Sequence, residues 1–172
     1  FMRQGWSVKS LHRRIMLSST YRQESRSRPE AFAKDPENRL YWHYNRRRLE
    51  FEELRDAIVA VSGSLDPAMG GLPVAITEPP FPARRTVYGF IDRQNLDATY
   101  RTFDFATPDS SSPRRFVTTV PQQALFLMNS PLVLGEVRRL AASGPSPGGP
   151  PDACIVALYA RMFGRAPTPY EK

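Results

Sequence analysis

The sequence predicts a mainly α-helical globular domain of irregular build, with one long Pro-rich loop and room in that loop for one short β-hairpin. Three observations point there. Hydrophobic residues make up 41% and aromatics 11% of 172 residues, which places the chain with folded globular proteins and not with disordered ones. Apolar residues recur at helical spacing in several stretches that open and close on capping residues. Between those stretches, residues 66–115 carry Pro and Gly at a density through which no helix propagates, so this segment is expected to wrap or cross the surface.

The first helix is read from SVKSLHRRIML. Val8, Leu11, Ile15 and Met16 share a face there, Lys9, Arg13 and Arg14 turn elsewhere, and Ser7 is its cap. Asp35 before Pro36 has the form of a second helix opening. The strongest pattern follows, with Leu54, Ala57, Ile58 and Val61 keeping the i, i+3, i+4, i+7 spacing. Arg46, Arg47, Arg48, Glu50, Glu52, Glu53, Arg55 and Asp56 cover the other faces, and Gly63 is the natural stop.

Within the excursion at 66–115, RRTVYGFIDR supplies residues for a short strand or half of a hairpin, with Gly89 against it. TFDFATPDSSSPRR then returns to turn chemistry. A loop of this length is either functional or threaded over a core for structural reasons. TVPQ reads as a capping box, with Thr119 as cap, Pro121 in the first turn and Gln122 reaching back, and it opens the helix QQALFLMN. Ser130 and Pro131 repeat the device for PLVLGEVRRLAAS, so that two helices meet at a corner. GPSPGGPP, at 144–151, reads as a flexible connector, and Asp152 caps a last apolar helix that ends near Gly164. One domain over 1–172 is expected. Phe1 stands where an initiator Met would, and Thr168, Pro169 and Glu171 begin a helix that has no body, so the sequence is expected to be an internal piece of a longer multidomain protein.

The formal net charge is +7, from 21 Arg and 3 Lys against 17 acids. Such a balance fits nucleic acid, an anionic polymer or acidic lipid as partner, and a GC-rich genome produces the same Arg excess with no demand from function. Cys154 stands alone in ACIVALYA, where a thiol packs as a small hydrophobe. No apolar run nears the ~18 residues that cross a bilayer.

Nothing in the chain assembles a catalytic or metal-binding constellation, so no catalytic or metal residue is singled out. His12 and His43 lie far apart, each without a ligand at metal-site spacing. No CxxCH occurs, so no c-type haem is attached to this chain and no cofactor is expected in it. No GxSxG occurs, and Ser110, Ser111 and Ser112 sit in a Pro-flanked turn. Asp104 and Asp109 could share a hard cation on one loop, or cap and form turns. The sharpest candidate is a site for an anion or a partner, built from Arg114, Arg115, Thr119, Gln122, Gln123 and Asn129, because two arginines precede the exposed amides of a helix opening. The alternative is that these arginines pair with Asp104 or Asp109 and staple the loop to the helix.

Four strings carry a family resemblance: SLHRRIMLSSTYRQ at 10–23, DPENRLYWHYNRRRLEFEELRDAIVAVSGSLD at 35–66, FDFATPDSSSPRRFVTTVPQQALFLMNSPLV at 103–133, and LYARMFGRAPTPYE at 158–171. With them the chain resembles the planctomycete-type domain of unknown function found C-terminal to cytochrome-c-like domains in large exported proteins. That resemblance implies an extracytoplasmic setting, periplasmic or exported, because c-type haem is assembled there, with the haem in a neighbouring domain. It also implies a family-level link to electron transfer or to the breakdown of sulfated polysaccharides.

The functional expectation is a non-catalytic scaffold or interaction module that works with neighbouring domains of the same chain. Its rivals are part of an enzyme whose other active-site residues lie elsewhere, and a binder of anionic polysaccharide. Nucleic acid is the least expected partner for an exported protein. An enzyme requires Asp104, Asp109, Arg114, Gln122, Gln123 or Asn129 to converge with exposed side chains in a pocket, whereas a scaffold uses them for capping and internal pairing.

Overall fold

The computed structural model describes residues 1–143 and 150–172. The connector expected at 144–151 therefore lies outside the described residues, except for Pro150 and Pro151. The chain forms two compact units, Phe1–Arg48 and Leu49–Lys172.

In the first unit, Met2–Gln4 make a 3-10 turn, α1 spans Val8–Met16 and α2 spans Pro29–Lys34. Ser7 caps α1 as expected, its Oγ accepting from the Ser10 amide at 3.2 Å. No apolar periodicity announces α2, but Pro29 at its first position and Glu30 in its first turn are a start signal. Asp35 does not open a helix. It closes α2, and its carboxylate turns forward to accept from the Leu40 amide at 2.8 Å and the Arg39 amide at 3.0 Å. The Leu40 bond, with Arg39 adding to it, holds the Asp35 carboxyl below its usual range against desolvation.

The segment after Asp35 is ordered by polar side chains. The Trp42 indole donates to the Asp35 carbonyl at 2.8 Å, and Asn38, at φ 54°, donates to the His43 carbonyl at 2.8 Å and to Asn45 Oδ1 at 3.0 Å. Arg46, Arg47 and Arg48 precede α3 and are not part of it. Asp35 and Asn38 are the buried residues of this unit, and no apolar side chain in it is buried.

In the second unit, α3 spans Phe51–Ser62, α4 Ala98–Thr102, α5 Pro121–Asn129, α6 Pro131–Ala142 and α7 Pro151–Phe163, with a 3-10 turn at Thr86–Tyr88. The helical, irregular class is the one the sequence predicts. Glu53 Oε2 accepts from the Glu50 amide at 3.2 Å where α3 begins, and Gly63, at φ 84°, ends it. The buried row of α3 is Phe51, Arg55, Val59 and Ser62. The predicted apolar row of Leu54, Ala57, Ile58 and Val61 instead lines an open groove.

Phe51 is the hub of the core. Its ring lies 5.2 Å from Phe103, 5.3 Å from Tyr100 and 6.1 Å from Phe126, the last two edge to face. Ile76, Leu96, Tyr100 and Phe103 complete the buried cluster, and all four come from the 66–115 segment. That segment is thus an inner layer as well as a surface crossing, and it contains α4. In place of a hairpin it makes two isolated parallel bridges, Asp66 with Arg84 and Val74 with Gly89. Parallel pairing excludes a hairpin, which is antiparallel. Gly89 is required by close approach: a Cβ there would come 2.8 Å from Ile76 Cδ1 and 3.0 Å from the Thr86 carbonyl.

Two caps differ from expectation. Pro121 takes the first position of α5, so Val120 is its cap and the Thr119 capping box is one residue out of register. Likewise Pro150 precedes α7, leaving Asp152 in the first turn, where an acid still favours the helix N-terminus. Ser130 does stand at the cap position of α6, in extended backbone and without a side-chain cap bond, and it makes the corner with α5. Gly164, at φ 65°, closes α7, and Glu171 Oε2 accepts from the Thr168 amide at 2.8 Å, both as the sequence predicts.

A buried guanidinium fixes α3 to the 82–86 segment. Arg55 is 1% exposed. Its Nη1 donates to the Arg84 carbonyl at 2.9 Å and to Thr86 Oγ1 at 3.2 Å, while Nη2 donates to the Pro82 carbonyl. Asp56 Oδ1 accepts from the Thr86 amide and from Thr86 Oγ1, each at 2.7 Å. Burial pushes the Arg55 guanidinium pKa down, and Asp56, 3.8 Å away, works against that. Arg55→Met would leave two carbonyls and a hydroxyl without their donor. Urea unfolding is expected to show a loss of roughly 3–5 kcal/mol. Arg55→Lys should lose most of the same, because an ammonium cannot reproduce the fork. A loss below about 1 kcal/mol in Arg55→Met would count against the clamp.

Candidate functional site

The segment singled out by sequence runs from Asp104 to Asn129, and its first member already has an internal task. Asp104, at φ 59°, accepts from the Thr118 amide at 2.8 Å and from Thr118 Oγ1 at 2.8 and 3.0 Å, which closes the loop between them. That loop encloses a hollow of ≈ 310 Å³ bordered by Asp104, Phe105, Ser110, Ser112, Arg114 and Phe116. A second hollow, of ≈ 370 Å³, shares its Asp104 and Phe116 wall and reaches Arg93, Arg101 and Asp109.

Arg115 forms the staple that sequence offered as an alternative, with other acids. Its Nη1 donates to Glu52 Oε2 at 2.7 Å and to Glu50 Oε2 at 2.9 Å, and its Nη2 donates to Glu52 Oε1 at 2.8 Å. The guanidinium also lies over the Phe105 ring, 4.4 Å from its centroid. Asp104 and Asp109 are not its partners in these bonds. Hydrogen bonding to Glu52 raises the Arg115 pKa, which is what a two-pronged carboxylate contact does to a cation.

The remaining candidates are dispersed. Arg114 and Thr119 are exposed, and Gln122 and Asn129 are exposed on α5 and line neither hollow. Gln123 is 1% exposed and donates from Nε2 to the Thr102 carbonyl at 2.8 Å, tying α5 to α4. The six residues proposed as one binding site therefore do not converge on one cavity.

A groove that sequence reasoning missed has a volume of ≈ 560 Å³ and is bordered by Glu50, Glu52, Asp56, Arg85, Tyr100 and Arg115. The acids were visible at the start of α3, but Tyr100 arrives from α4, distant in sequence, and carried no signal. Each of those carboxylates is engaged: Glu50 and Glu52 by Arg115, Asp56 by Thr86 and, at 3.7 Å, by Arg85. A general base needs a carboxylate within reach of a substrate proton and not already shared in this way. The Tyr100 hydroxyl is buried without a hydrogen-bond partner. Desolvation first, then Glu52, pushes its pKa up to about 12.

The groove beside α3, α6 and α7 is apolar, with a volume of ≈ 470 Å³, and is bordered by Leu54, Ile58, Val61, Val137 and Phe163. The buried Glu136 in its wall accepts from Ser62 Oγ and Ser64 Oγ on one oxygen and from Arg139 Nη1, at 2.9 Å, on the other. In the first unit, His12 is exposed on α1, and His43 sets its Nδ1 3.1 Å from the Tyr44 carbonyl and its ring 4.2 Å from Trp42. Among the described residues no three His, Cys, Asp or Glu side chains come together to hold a metal ion, and no helix is long and apolar enough to cross a membrane.

Two outcomes are expected. In a double-mutant cycle of Arg115→Met with Glu52→Gln, the coupling should be about 1 kcal/mol, since both side chains are only partly shielded. Tyr100→Phe removes an unpaired hydroxyl, so stability at neutral pH should be unchanged or up to about 1 kcal/mol higher. The folded pKa of about 12 lies above the ordinary 10.0. The contribution of the phenol is therefore fully present below pH 10 and is lost as pH rises through 12. Unfolding measured across that window should show a smaller alkaline loss in Tyr100→Phe than in the parent.

Comparison with known proteins agrees with a domain-wide relationship and supplies no activity. The family model described as PSD1, protein of unknown function (DUF1553), matches residues 1–172. No curated protein and no solved structure matches the chain. The family match runs through both compact units and through all four strings that carried the resemblance. The chain belongs to the DUF1553 (PSD1) family of proteins of unknown function.

Proposed function

We propose that this chain is a non-catalytic scaffold or interaction module that positions neighbouring domains of the same protein. The observation that carries the reading is the fate of Arg115, the best-placed candidate for an anion, whose guanidinium is taken up by Glu52 and Glu50. The same pattern recurs in Asp104 with Thr118, Asp56 with Thr86, and Glu136 with Ser62 and Ser64. Groups that do chemistry keep hydrogen-bonding capacity for a substrate, and groups that hold a fold use it internally. On the family resemblance, one neighbour is a cytochrome-c-like domain carrying its own c-type haem, and the protein works outside the cytoplasm.

Hydrogen exchange tests the reading by comparing this chain alone with the same residues inside the longer protein. Added protection over exposed faces of the second unit is the expected result, and identical exchange would overturn a positioning role. Calorimetric titration with sulfate and with heparin separates it from a polyanion binder. Saturable binding lost in Arg114→Ala would favour the binder, and no saturable binding is expected.

A further inference from the structure

We propose that α1, together with the turn that precedes it, docks flat on an anionic lipid bilayer. This goes beyond the module reading and does not depend on it. Trp6, Val8, Leu11, Ile15 and Met16 are between 38% and 63% exposed, although four of them form the apolar face of a strongly amphipathic helix. The unit that carries them buries no apolar side chain, so its folding leaves this face uncovered. Lys9 and Arg14 edge that face and Arg13 lies behind it, while His12 shares its arc with Val8 and Met16. Residues 1–23 contain those three cations with Arg3 and Arg22, and no acid.

The local geometry holds this surface together. Gln4 Oε1 accepts from Ser10 Oγ at 3.2 Å and from Arg14 Nη1 at 3.5 Å, which ties the opening turn to α1. Gly5 and Trp6 both sit at positive φ, 67° and 58°. A bulky residue held in that region is uncommon, and here it leaves the indole exposed beside the helix. Phe1 packs edge-on against it at 5.3 Å.

The pattern selects its partner by charge as well as by apolarity. An apolar strip with cations on both flanks and an indole at one end matches a surface that is negative at the rim and hydrocarbon a few ångströms deeper. Such a surface needs no shape complementarity, and α1 presents none, being a short convex strip. The lipid headgroup supplies the phosphate and net negative charge that the four cations of residues 3–14, with no acid before Glu24, would otherwise lack.

The test uses the whole chain with Trp42→Phe, so that Trp6 is the single reporter, and vesicles of phosphatidylcholine with or without phosphatidylglycerol. Co-sedimentation and a blue shift of Trp6 are expected with the anionic vesicles only, weakening as salt rises. Arg13→Gln with Arg14→Gln should lower partitioning about thirty-fold, and Leu11→Asp with Ile15→Asp should abolish it. All four positions are exposed, and circular dichroism checks that the helix persists. The comparison of the two vesicle types in the unaltered helix stands even if a variant fails to fold. Failure to bind anionic vesicles, or equal binding to pure phosphatidylcholine, overturns the proposal. So does self-association that Leu11→Asp with Ile15→Asp abolishes while no vesicle binding occurs, which would assign the face to a second copy of the chain.

Discussion

A single buried arginine organises the second unit. Arg55 reaches from the buried row of α3 to the Pro82 and Arg84 carbonyls and to Thr86, and Asp56, the next residue, takes the Thr86 amide and hydroxyl. Helix and loop thus exchange donors and acceptors, with Arg55 fully buried and Asp56 at the partly exposed edge of the contact. A Pro-rich segment cannot satisfy its backbone groups in a helix or a sheet, so its carbonyls need donors from elsewhere. Arg55 provides them with a fork whose geometry a flexible side chain could not hold. Once that segment is anchored, Ile76, Leu96, Tyr100 and Phe103 can close around Phe51.

The same economy governs the region that looked most like a site. Arg115 joins the 104–118 loop to the first turn of α3, where acids also suit the helix N-terminus. Asp104 closes that loop on Thr118, and Gln123 ties α5 to α4. Charged and amide side chains do here what a continuous sheet would do elsewhere. In this chain the chemically able residues around the 104–118 loop act as tethers, and the proposed scaffold role rests on that use.

The first unit is held together differently. Its buried residues are polar, Asp35 and Asn38, which order the residues after α2 through backbone amides and carbonyls. Its aromatic contacts, Tyr21 with Tyr44 and Arg28 over Trp42, lie near the surface. Hydrogen-bonded loops specify a conformation without burying much apolar area. That leaves the amphipathic α1 with an apolar face and no cover, which is the physical basis for looking outside the unit for what it meets.

Local chemistry in the sequence determined the helical class, the Ser7 cap, the Gly63 and Gly164 stops and the corner at Ser130, because each depends on residues within one or two turns. It also showed that acids and arginines were abundant near the loop at 104–116. It could not say that Arg115 would choose Glu50 and Glu52 over Asp104 and Asp109, since that choice is set by the approach of α3, more than sixty residues away in sequence. Proline register decided against Thr119 and Asp152 as caps, and a forward-turned carboxylate decided against Asp35 as a helix start. The buried row of α3 was shifted because a polar residue, Arg55, belonged to it, and no hydrophobic periodicity can announce a buried arginine. Only tertiary structure could bring the 66–115 segment inside, because its few large side chains become a core when a helix supplies donors for its backbone and a ring for its aromatics to pack on.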